Sequence, residues 1–255
     1  MSDSIYSKHW DQYVEHEWEV VRRRSDDVEW PGDEWGNPDA WEQIYQLLFV
    51  HHGKAEAWQR AIEIGQGAGK YTVKVLRNPD VQVRAYDVSR RFLEVCGERC
   101  AEDVRSGRLS LRQIDVSTPS FLLTDSSDWA RTVDAVYSID AMVHVDLQYL
   151  AAYLIAAARL LRPQGKLILT LASTGTAEGF ERLVRDVVRY WSAQSSPSGS
   201  GKLEWVNGSM MESLLPRFGF DIDFIWEPEG IFVVLVASLN RPHTGDELAG
   251  QILGG

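Results

Sequence analysis

Three glycines spaced two residues apart, Gly65, Gly67 and Gly69, follow the short apolar run 60–64. Because it has no Cβ atom, each glycine lets the backbone turn tightly or approach a ligand that a side chain would block. A helical pattern comes next, and the free N–H groups and dipole at a helix start favour a negatively charged ligand. The pattern predicts a loop that binds a nucleotide-type cofactor.

The residues beside the glycines bear on which cofactor this is. The dinucleotide fingerprint Gly-x-Gly-x-x-Gly requires a glycine at position 70, where this chain has Lys70. Glu63, two residues before the first glycine, is not part of that fingerprint either. The spacing therefore disfavours a nicotinamide-dependent oxidoreductase, which stays open as an alternative.

The loop belongs to an alternating series of strands and helices. Apolar runs predict seven strands, at 60–64, 81–86, 109–114, 133–139, 166–172, 221–227 and 231–239. The first five show little alternation, which is typical of central parallel strands covered on both faces. Only Pro228-Glu229-Gly230 separates the last two, which predicts an antiparallel hairpin. The fold class is α/β, a doubly wound, mostly parallel seven-stranded sheet ending in that hairpin.

Helical spacing of apolar residues predicts helices at 146–161 and 178–191. The sequence 162–165 is predicted to end the first of them and turn into the next strand. A further helix is predicted to start at Ser209, with Glu212 completing a capping box, and to end near Gly219.

The first sixty residues differ in character, since six of the ten tryptophans precede Glu63. We expect residues 1–57 to form a helical cap or lid, 58–240 the core domain and 241–255 a loosely held tail. Within the cap, residues 30–36 carry Trp30 and Trp35 around a Pro-Gly turn. They are interpreted either as a lid over the site or as a structural loop.

The run Glu63-x-Gly65-x-Gly67-x-Gly69 resembles motif I of the class I S-adenosylmethionine-dependent methyltransferases, which have a Rossmann-like fold. The resemblance covers roughly residues 58–239, and the family's later motifs follow in order. Residues 133–146 are similar to motif IV and its loop, with Ser138 expected at the cofactor. Residues 160–167 are similar to the turn into the fifth strand, with Gln164 in place of a glycine.

The resemblance implies which residues hold the cofactor. Asp87, after the second strand, corresponds to the acid that binds both ribose hydroxyls, and Val88 would flank the adenine. Asp115, after the third strand, corresponds to the acid at the adenine amino group, with Val116 beside it. Glu63 is expected near the amino group of the cofactor.

Two polar residues are candidates for catalysis. Asp140 and His144 lie four residues apart at the carboxyl edge of the predicted sheet, where ligands bind in such folds. The ordinary pKa of histidine, near 6.5, suits a general base. Alternatively, His144 only holds the loop. Two such ligands are too few for a metal ion, so no metal is predicted.

The resemblance implies in-line transfer of a methyl group from S-adenosyl-L-methionine, leaving S-adenosyl-L-homocysteine. We expect the acceptor to be an oxygen or nitrogen atom of a small molecule. A peptide or protein acceptor is the nearest alternative, and a non-catalytic module that binds the cofactor is another.

Composition limits the partners. The formal net charge of -11 and the isoelectric point near 5.0 disfavour nucleic acid. No apolar stretch is long enough for a membrane span or has the form of a signal peptide. Two cysteines four residues apart, Cys96 and Cys100, are expected to be reduced packing residues. A cytoplasmic protein is therefore expected, and the oligomeric state stays open.

Overall fold

A computed structural model describes residues 5–23, 28–114, 120–191 and 202–242, together with residues 247 and 250. It contains one mixed sheet. The strands are β1 (Arg60–Ile64), β2 (Gln82–Asp87), β3 (Leu109–Gln113), β4 (Val133–Ser138), β5 (Leu161–Ser173), β6 (Trp205–Val206), β7 (Phe220–Trp226) and β8 (Phe232–Leu239). Their order across the sheet is β3-β2-β1-β4-β5-β8-β7, and β6 pairs with β5.

The sheet confirms the predicted fold class. Strands β1 to β5 pair in parallel, whereas β8 pairs antiparallel with both β5 and β7. All six residues of β4 are buried, as expected for a strand covered on both faces. The two-residue strand β6 is additional to the seven predicted, and its brevity left no periodic signal.

The chain reverses direction across the sheet between β1 and β4. From β1 it runs outward through β2 and β3, and it then returns to β4 on the other side of β1. The crevice at the carboxyl ends of these strands is the place where open α/β sheets bind ligands. The glycine loop follows β1 directly and therefore lies at this crevice.

Helices cover both faces of the sheet. They are α1 (Ile5–Gln12), α2 (Trp18–Arg22), α3 (Pro38–Ile44), α4 (Thr72–Val75), α5 (Arg90–Arg99), α6 (Ala101–Ser106), α7 (Ser120–Asp125), α8 (Leu147–Leu160), α9 (Ala177–Trp191) and α10 (Gly208–Leu214). Two π-helical segments extend the N-terminal helices, at Tyr13–Glu17 and Tyr45–His52. Within the part of the chain that the structure describes, none of the helices combines the length and apolarity needed to cross a bilayer.

The helical residues of the predicted cap fall into two groups. Tyr45, Leu48 and Phe49 are buried in the same cluster as strand residues such as Tyr137, so residues 38–57 form part of the core on one face of the sheet. Residues 5–23 and 28–36 instead pack on α5 and the glycine loop, through a smaller cluster around Tyr13.

Two predicted boundaries were wrong. The turn at 162–165 lies inside β5, because Leu161 already pairs with Val133 before an irregularity in the register, and Gln164 there has φ +64°. The cap of α10 is Asn207, whose Oδ1 accepts a hydrogen bond from Met210 N at 2.8 Å. Ser209 therefore lies within the first turn of the helix.

The cap of α10 can be tested by denaturation. Asn207→Ala should lower the free energy of unfolding by about 1 kcal/mol, because the N–H group of Met210 loses its acceptor. Ser209→Ala should change it by less than about 0.5 kcal/mol. Urea unfolding followed by circular dichroism measures both variants. A larger loss in the serine variant would contradict the cap seen in the structure.

Candidate active site

A cavity of about 720 Å³, counted to its open mouth, lies at the crevice between β1 and β4. We call it the large cavity. Asp87, Asp140 and His144 line it, as do Tyr86 and Tyr153, and most of the remaining lining is apolar. Two of the lining residues come from the N-terminal segment, namely Trp10 of the first helix and Trp35 of the stretch before α3. The structure thus brings both predicted catalytic residues and part of the predicted cofactor site into one space.

A second cavity of about 480 Å³ lies beside it under the glycine loop, and we call it the loop cavity. Its polar lining residues are Glu63, Gln66, Lys70 and Asp140. Trp35, Gly65 and Asp140 are among the residues that line both cavities. The two cavities are therefore adjacent, with Trp35 part of the wall of each.

The three predicted glycines differ in what surrounds them. At Gly67, with φ +53°, an added Cβ would find no atom closer than 3.9 Å, so this residue leaves open space toward both cavities. At Gly65, with φ +71°, a Cβ would lie 2.2 Å from the Cβ of Ala141, so the loop could not approach the segment after β4. Gly69 packs against Cys96 and lines neither cavity.

Asp87 is 5% exposed and joins three elements. One carboxylate oxygen accepts a hydrogen bond from Gly67 N at 3.0 Å, and the other accepts one from Ser89 N at 2.8 Å. Burial raises the pKa of Asp87 to about 6, although these backbone donors oppose the change. A carboxylate offers about four acceptor positions, which leaves capacity for ligand hydroxyl groups.

Of the other predicted cofactor residues, one lines a cavity, one does not, and two are not described. Val88 lines the large cavity next to Asp87. Ser138 is fully buried and donates its hydroxyl to the carbonyl oxygen of Ile64 at 2.7 Å, so it holds β1 to β4 and lines neither cavity. Asp115 and Val116 lie outside the described residues.

Glu63 is buried beneath the glycine loop. Its Oε2 accepts hydrogen bonds from the hydroxyls of Thr72 at 2.5 Å and Tyr137 at 3.0 Å. Burial raises its pKa to about 7, and the two hydroxyls oppose the change. The group therefore lines the loop cavity with hydrogen bonds to protein already in place.

Asp140 has a left-handed backbone, with φ +61°, which a non-glycine residue rarely adopts. Its backbone N–H donates to the hydroxyl of Thr170 at 2.7 Å, which holds this conformation. The residue lines both cavities. Desolvation by the surrounding protein raises the pKa of its carboxyl group, while the positive charge of Lys70 opposes this change. Such strain is typical of functional positions.

His144 is oriented by one hydrogen bond. Its Nδ1 lies 2.9 Å from the carbonyl oxygen of Lys202. Because a carbonyl oxygen only accepts, Nδ1 carries the proton and Nε2 keeps its lone pair. Burial lowers the pKa of His144 from its usual 6.5, although the bond to Lys202 opposes the change. The ring is therefore neutral at pH 7 and able to accept a proton.

The sequence did not reveal how the N-terminal helix reaches the site. The ring of Trp10 lies 5.4 Å from that of His144 and 5.8 Å from that of Trp35. Asp11 accepts hydrogen bonds from Ser89 Oγ at 2.6 Å and Arg91 N at 3.0 Å, at the start of α5. These contacts join segments about eighty residues apart, which periodicity cannot predict.

Residues 30–36, which we call the strap, are fastened to the glycine loop by Lys70 and to α5 by Arg99. Lys70 Nζ donates to the carbonyl oxygens of Gly32 at 2.8 Å and Trp35 at 3.4 Å. Arg99 forms an ion pair of 3.2 Å with Asp33. Lys70, which first distinguished this loop from a dinucleotide fingerprint, thus connects the loop to the strap.

The residues present suit S-adenosylmethionine. Gly67 leaves the loop open to the cavities, and Asp87 keeps acceptor capacity beside Val88. Both polar atoms of the Gln66 amide are buried without a hydrogen-bond partner, beside the loop cavity. A buried amide left unsatisfied costs free energy, so this one indicates a ligand that completes it. Among the described residues, no three potential metal ligands cluster together.

The sequence comparisons agree with this geometry. Residues 61–165 match the family described as methyltransferase domain. The search of curated proteins found no match.

Several solved structures share the fold. Magnesium protoporphyrin IX methyltransferase from Synechocystis, with bound S-adenosylhomocysteine, is 14% identical with a TM-score of 0.60, covering 92% of this chain and 99% of that one. Geranyl diphosphate methyltransferase in complex with its diphosphate and sinefungin is 13% identical with a TM-score of 0.57, covering 77% of each chain. A sarcosine dimethylglycine methyltransferase from Galdieria sulphuraria is 11% identical with a TM-score of 0.57, covering 79% and 86%.

At these identities the solved structures show a common fold, and the family match, which includes the glycine loop and β4, adds the chemistry. The match sets aside the nicotinamide-dependent alternative. Residues 61–165 are thus a methyltransferase domain, the protein is an S-adenosylmethionine-dependent methyltransferase, and S-adenosylmethionine is its cofactor.

Proposed function

We propose that this methyltransferase acts on an oxygen or nitrogen atom of a small, largely apolar molecule that is neutral or cationic. The observation that carries the proposal is the aromatic lining of the large cavity. Trp10 and Trp35 of the N-terminal segment and Phe92 of α5 line it together, so the space is a partly enclosed aromatic pocket. Enclosed, aromatic-lined pockets are typical of small-molecule sites.

The charges of the pocket support this acceptor class. Apart from the tyrosines Tyr86 and Tyr153, its ionisable lining residues are Asp87, Asp140 and the neutral His144, and no lysine or arginine is among the described residues that line it. An anionic acceptor would lie near carboxylates without a compensating cation, which is unfavourable in an enclosed site. A peptide would have to enter under Trp10 and Trp35.

The neighbours with the same fold are consistent with a small acceptor. Their names specify magnesium protoporphyrin IX, geranyl diphosphate, and sarcosine and dimethylglycine. Geranyl diphosphate is an anion, and we propose that the pocket of this chain excludes such acceptors.

The chain's own residues would hold the cofactor from three sides. Gly65 and Gly67 leave room for it, Asp87 would bind its ribose hydroxyls, and Val88 would flank its adenine. Glu63 would lie near its amino group. When bound, S-adenosylmethionine supplies an activated methyl group on a positively charged sulfur. The protein's remaining contribution is alignment of the acceptor and exclusion of water.

His144 is proposed as the general base. Its unprotonated Nε2 belongs to a ring held by Lys202 and packed against Trp10. It would take the proton from a hydroxyl or ammonium group of the acceptor. Asp140, four residues earlier, is the second candidate, since desolvation by the surrounding protein raises its pKa above the usual value of an aspartate.

We also propose a function for each part of the chain. Residues 1–57 would be the cap, with the lid function in residues 5–36, and 58–240 would be the catalytic core. The tail, 241–255, lies mostly outside the described residues. Free cysteines at 96 and 100 support a reducing, cytoplasmic setting. The negative net charge supports a protein that does not bind nucleic acid.

The cofactor site is tested by Asp87→Ala. Loss of a carboxylate that accepts hydrogen bonds from hydroxyl groups should weaken binding of S-adenosylhomocysteine by about 1.5–3 kcal/mol, measured by calorimetry. Asp11→Asn is the matched control, because it removes a neighbouring carboxylate that lines neither cavity. Unchanged affinity in the Asp87 variant would reject the ribose role, and an equal loss in both would assign the effect to α5.

The acceptor class is tested by labelling. The protein is incubated with cell extract and S-adenosylmethionine carrying an isotopically labelled methyl group, and products are separated by size and charge. We expect the label in small neutral or cationic molecules, on oxygen or nitrogen. Label in the protein fraction would instead support a peptide acceptor, and label in small anions would contradict the argument from charge. No labelled product, despite tight cofactor binding, would support a non-catalytic module.

The base is tested with the acceptor found in that way. Asn at position 144 can still donate to the carbonyl of Lys202 but cannot accept a proton, so His144→Asn should lower kcat by about 100-fold or more. In the native protein, kcat/KM should fall as the pH drops through the pKa of His144, which lies below 6.5, because the protonated ring cannot act as a base. A variant that keeps both kcat and this acidic limb would show that His144 is structural.

A further inference from the structure

The helix α9 turns an apolar face away from the protein. Four apolar residues recur at helical spacing along one side of it, each between 43% and 62% exposed, namely Phe180, Val184, Val187 and Val188. We call these four residues the α9 stripe. They are four of the ten large hydrophobic residues that are exposed among the described residues, so this exposure is concentrated on one helix. A contiguous exposed apolar patch of this kind marks an interaction surface.

A different side of α9 packs on the protein. At Gly179 an added Cβ would lie 1.8 Å from the carbonyl oxygen of Ser173, so the helix backbone lies directly against the end of β5. Asp186 lies two turns further along the same side, is 8% exposed and forms an ion pair of 3.1 Å with Arg182. A surface helix ordinarily packs its apolar side on the core. Here the packed side carries the ion pair and the apolar side is exposed.

Two charged residues lie along one edge of the α9 stripe. Glu181 and Arg185 are exposed, next to Val184 and Val188 on the helix surface. Among the residues that the structure describes, neither of the two has an ionic or hydrogen-bonded partner for its side chain. They lie at equal separations from residue 183, near the middle of the helix. If two α9 helices lay antiparallel about a twofold axis at this point, Glu181 of each copy would face Arg185 of the other.

We propose that the α9 stripe pairs with the same stripe of a second copy of this chain, antiparallel about a twofold axis. A twofold contact uses the same patch on both copies, so the patch must be complementary to itself. The stripe meets this condition, because it is apolar and its edge carries one acid and one base at symmetric positions. A single helix gives a small interface, so we expect a dissociation constant on the order of 10 µM. This pairing is independent of the cofactor and of the proposed acceptor.

Other partners for the α9 stripe are less well matched. The formal net charge of -11 disfavours binding to an anionic lipid surface. Residues 192–201, which follow α9, are mainly serine and glycine and offer little apolar surface. The tail follows β8, whose end pairs with the early part of β5, Ser238 with Lys166, whereas α9 comes after the other end of β5. The start of the tail and the start of α9 therefore lie at opposite ends of the sheet.

Sedimentation velocity over protein concentrations of about 1 to 100 µM tests the pairing. The native protein should change from monomer to dimer in this range. Val184→Glu should raise the dissociation constant about 30-fold or more, because two carboxylates would meet in an apolar contact. Val104→Glu on α6 is the matched control, since Val104 is 40% exposed and Val184 45%, and it should change the constant by no more than about twofold. A native protein that stays monomeric, or equal losses in both variants, would overturn the proposal.

Exchange of charges tests the antiparallel arrangement. Glu181→Arg and Arg185→Glu each place like charges opposite one another across the twofold axis, so each should raise the dissociation constant about three- to tenfold. The double variant restores opposite charges at both places, and its constant should return to within about twofold of the native value. Circular dichroism checks that all three variants keep the native helix content. A double variant no better than the single ones would reject this pairing.

Two further measurements identify what else could occupy the α9 stripe. Flotation with vesicles of phosphatidylcholine and phosphatidylglycerol tests a lipid surface, and Ile252→Glu in the tail tests cover by the chain's own end. Vesicle binding by a monomeric native protein, lost in Val184→Glu, would assign the stripe to lipid. Dimer formation seen only in Ile252→Glu would assign it to the tail. Either result would reject the second copy as the native partner.

Discussion

The site depends on a buried carboxylate whose hydrogen-bond partners are backbone N–H groups. Asp87 connects the glycine loop through Gly67, the end of β2, and the approach to α5 through Ser89. Burial raises its pKa to about 6, and Asp11 adds a further negative charge nearby. A fold selected only for stability would place a neutral group here, because the carboxylate is disfavoured in this environment. This cost supports the proposed role of Asp87 in holding the ribose of the cofactor, since its backbone hydrogen bonds place the carboxylate at the glycine loop.

The central strands of the sheet were predictable because their burial is recorded in consecutive residues of the sequence. Each inner strand is buried on both faces, so it appears as an unbroken apolar run, and its end marks the edge where ligands bind. Gly67, Asp87, Asp140 and His144 could be placed at that edge from their positions after such runs. The helix α5 that follows β2 starts beside this edge, where Ser89 Oγ accepts a hydrogen bond from Phe92 N.

What the sequence could not give is the direction of side chains and contacts across long separations. Ser138 ends β4, as expected, but its hydroxyl points back to Ile64, and Gly69 packs on Cys96. The contacts of Lys70 with the strap and of Trp10 with His144 depend on how the N-terminal helix crosses the core, which no periodic pattern records. Gln66 illustrates the limit, since an unsatisfied amide is visible only when all of its neighbours are known.

The two cavities are lined by different charged groups. In the large cavity the ionised groups are carboxylates, whereas the loop cavity adds the cation Lys70. Two unit charges about 5 Å apart interact by roughly 3 kcal/mol at an effective dielectric constant of 20, which corresponds to more than a hundredfold in affinity. A difference of this size is enough to direct a carboxylate to one cavity and away from the other. Because Trp35 belongs to both walls and Lys70 holds its carbonyl, the strap sets the boundary between them. The methyltransferase domain therefore supplies the glycine loop and Asp87, and under the proposed function the N-terminal segment, through Trp10 and Trp35, selects the acceptor.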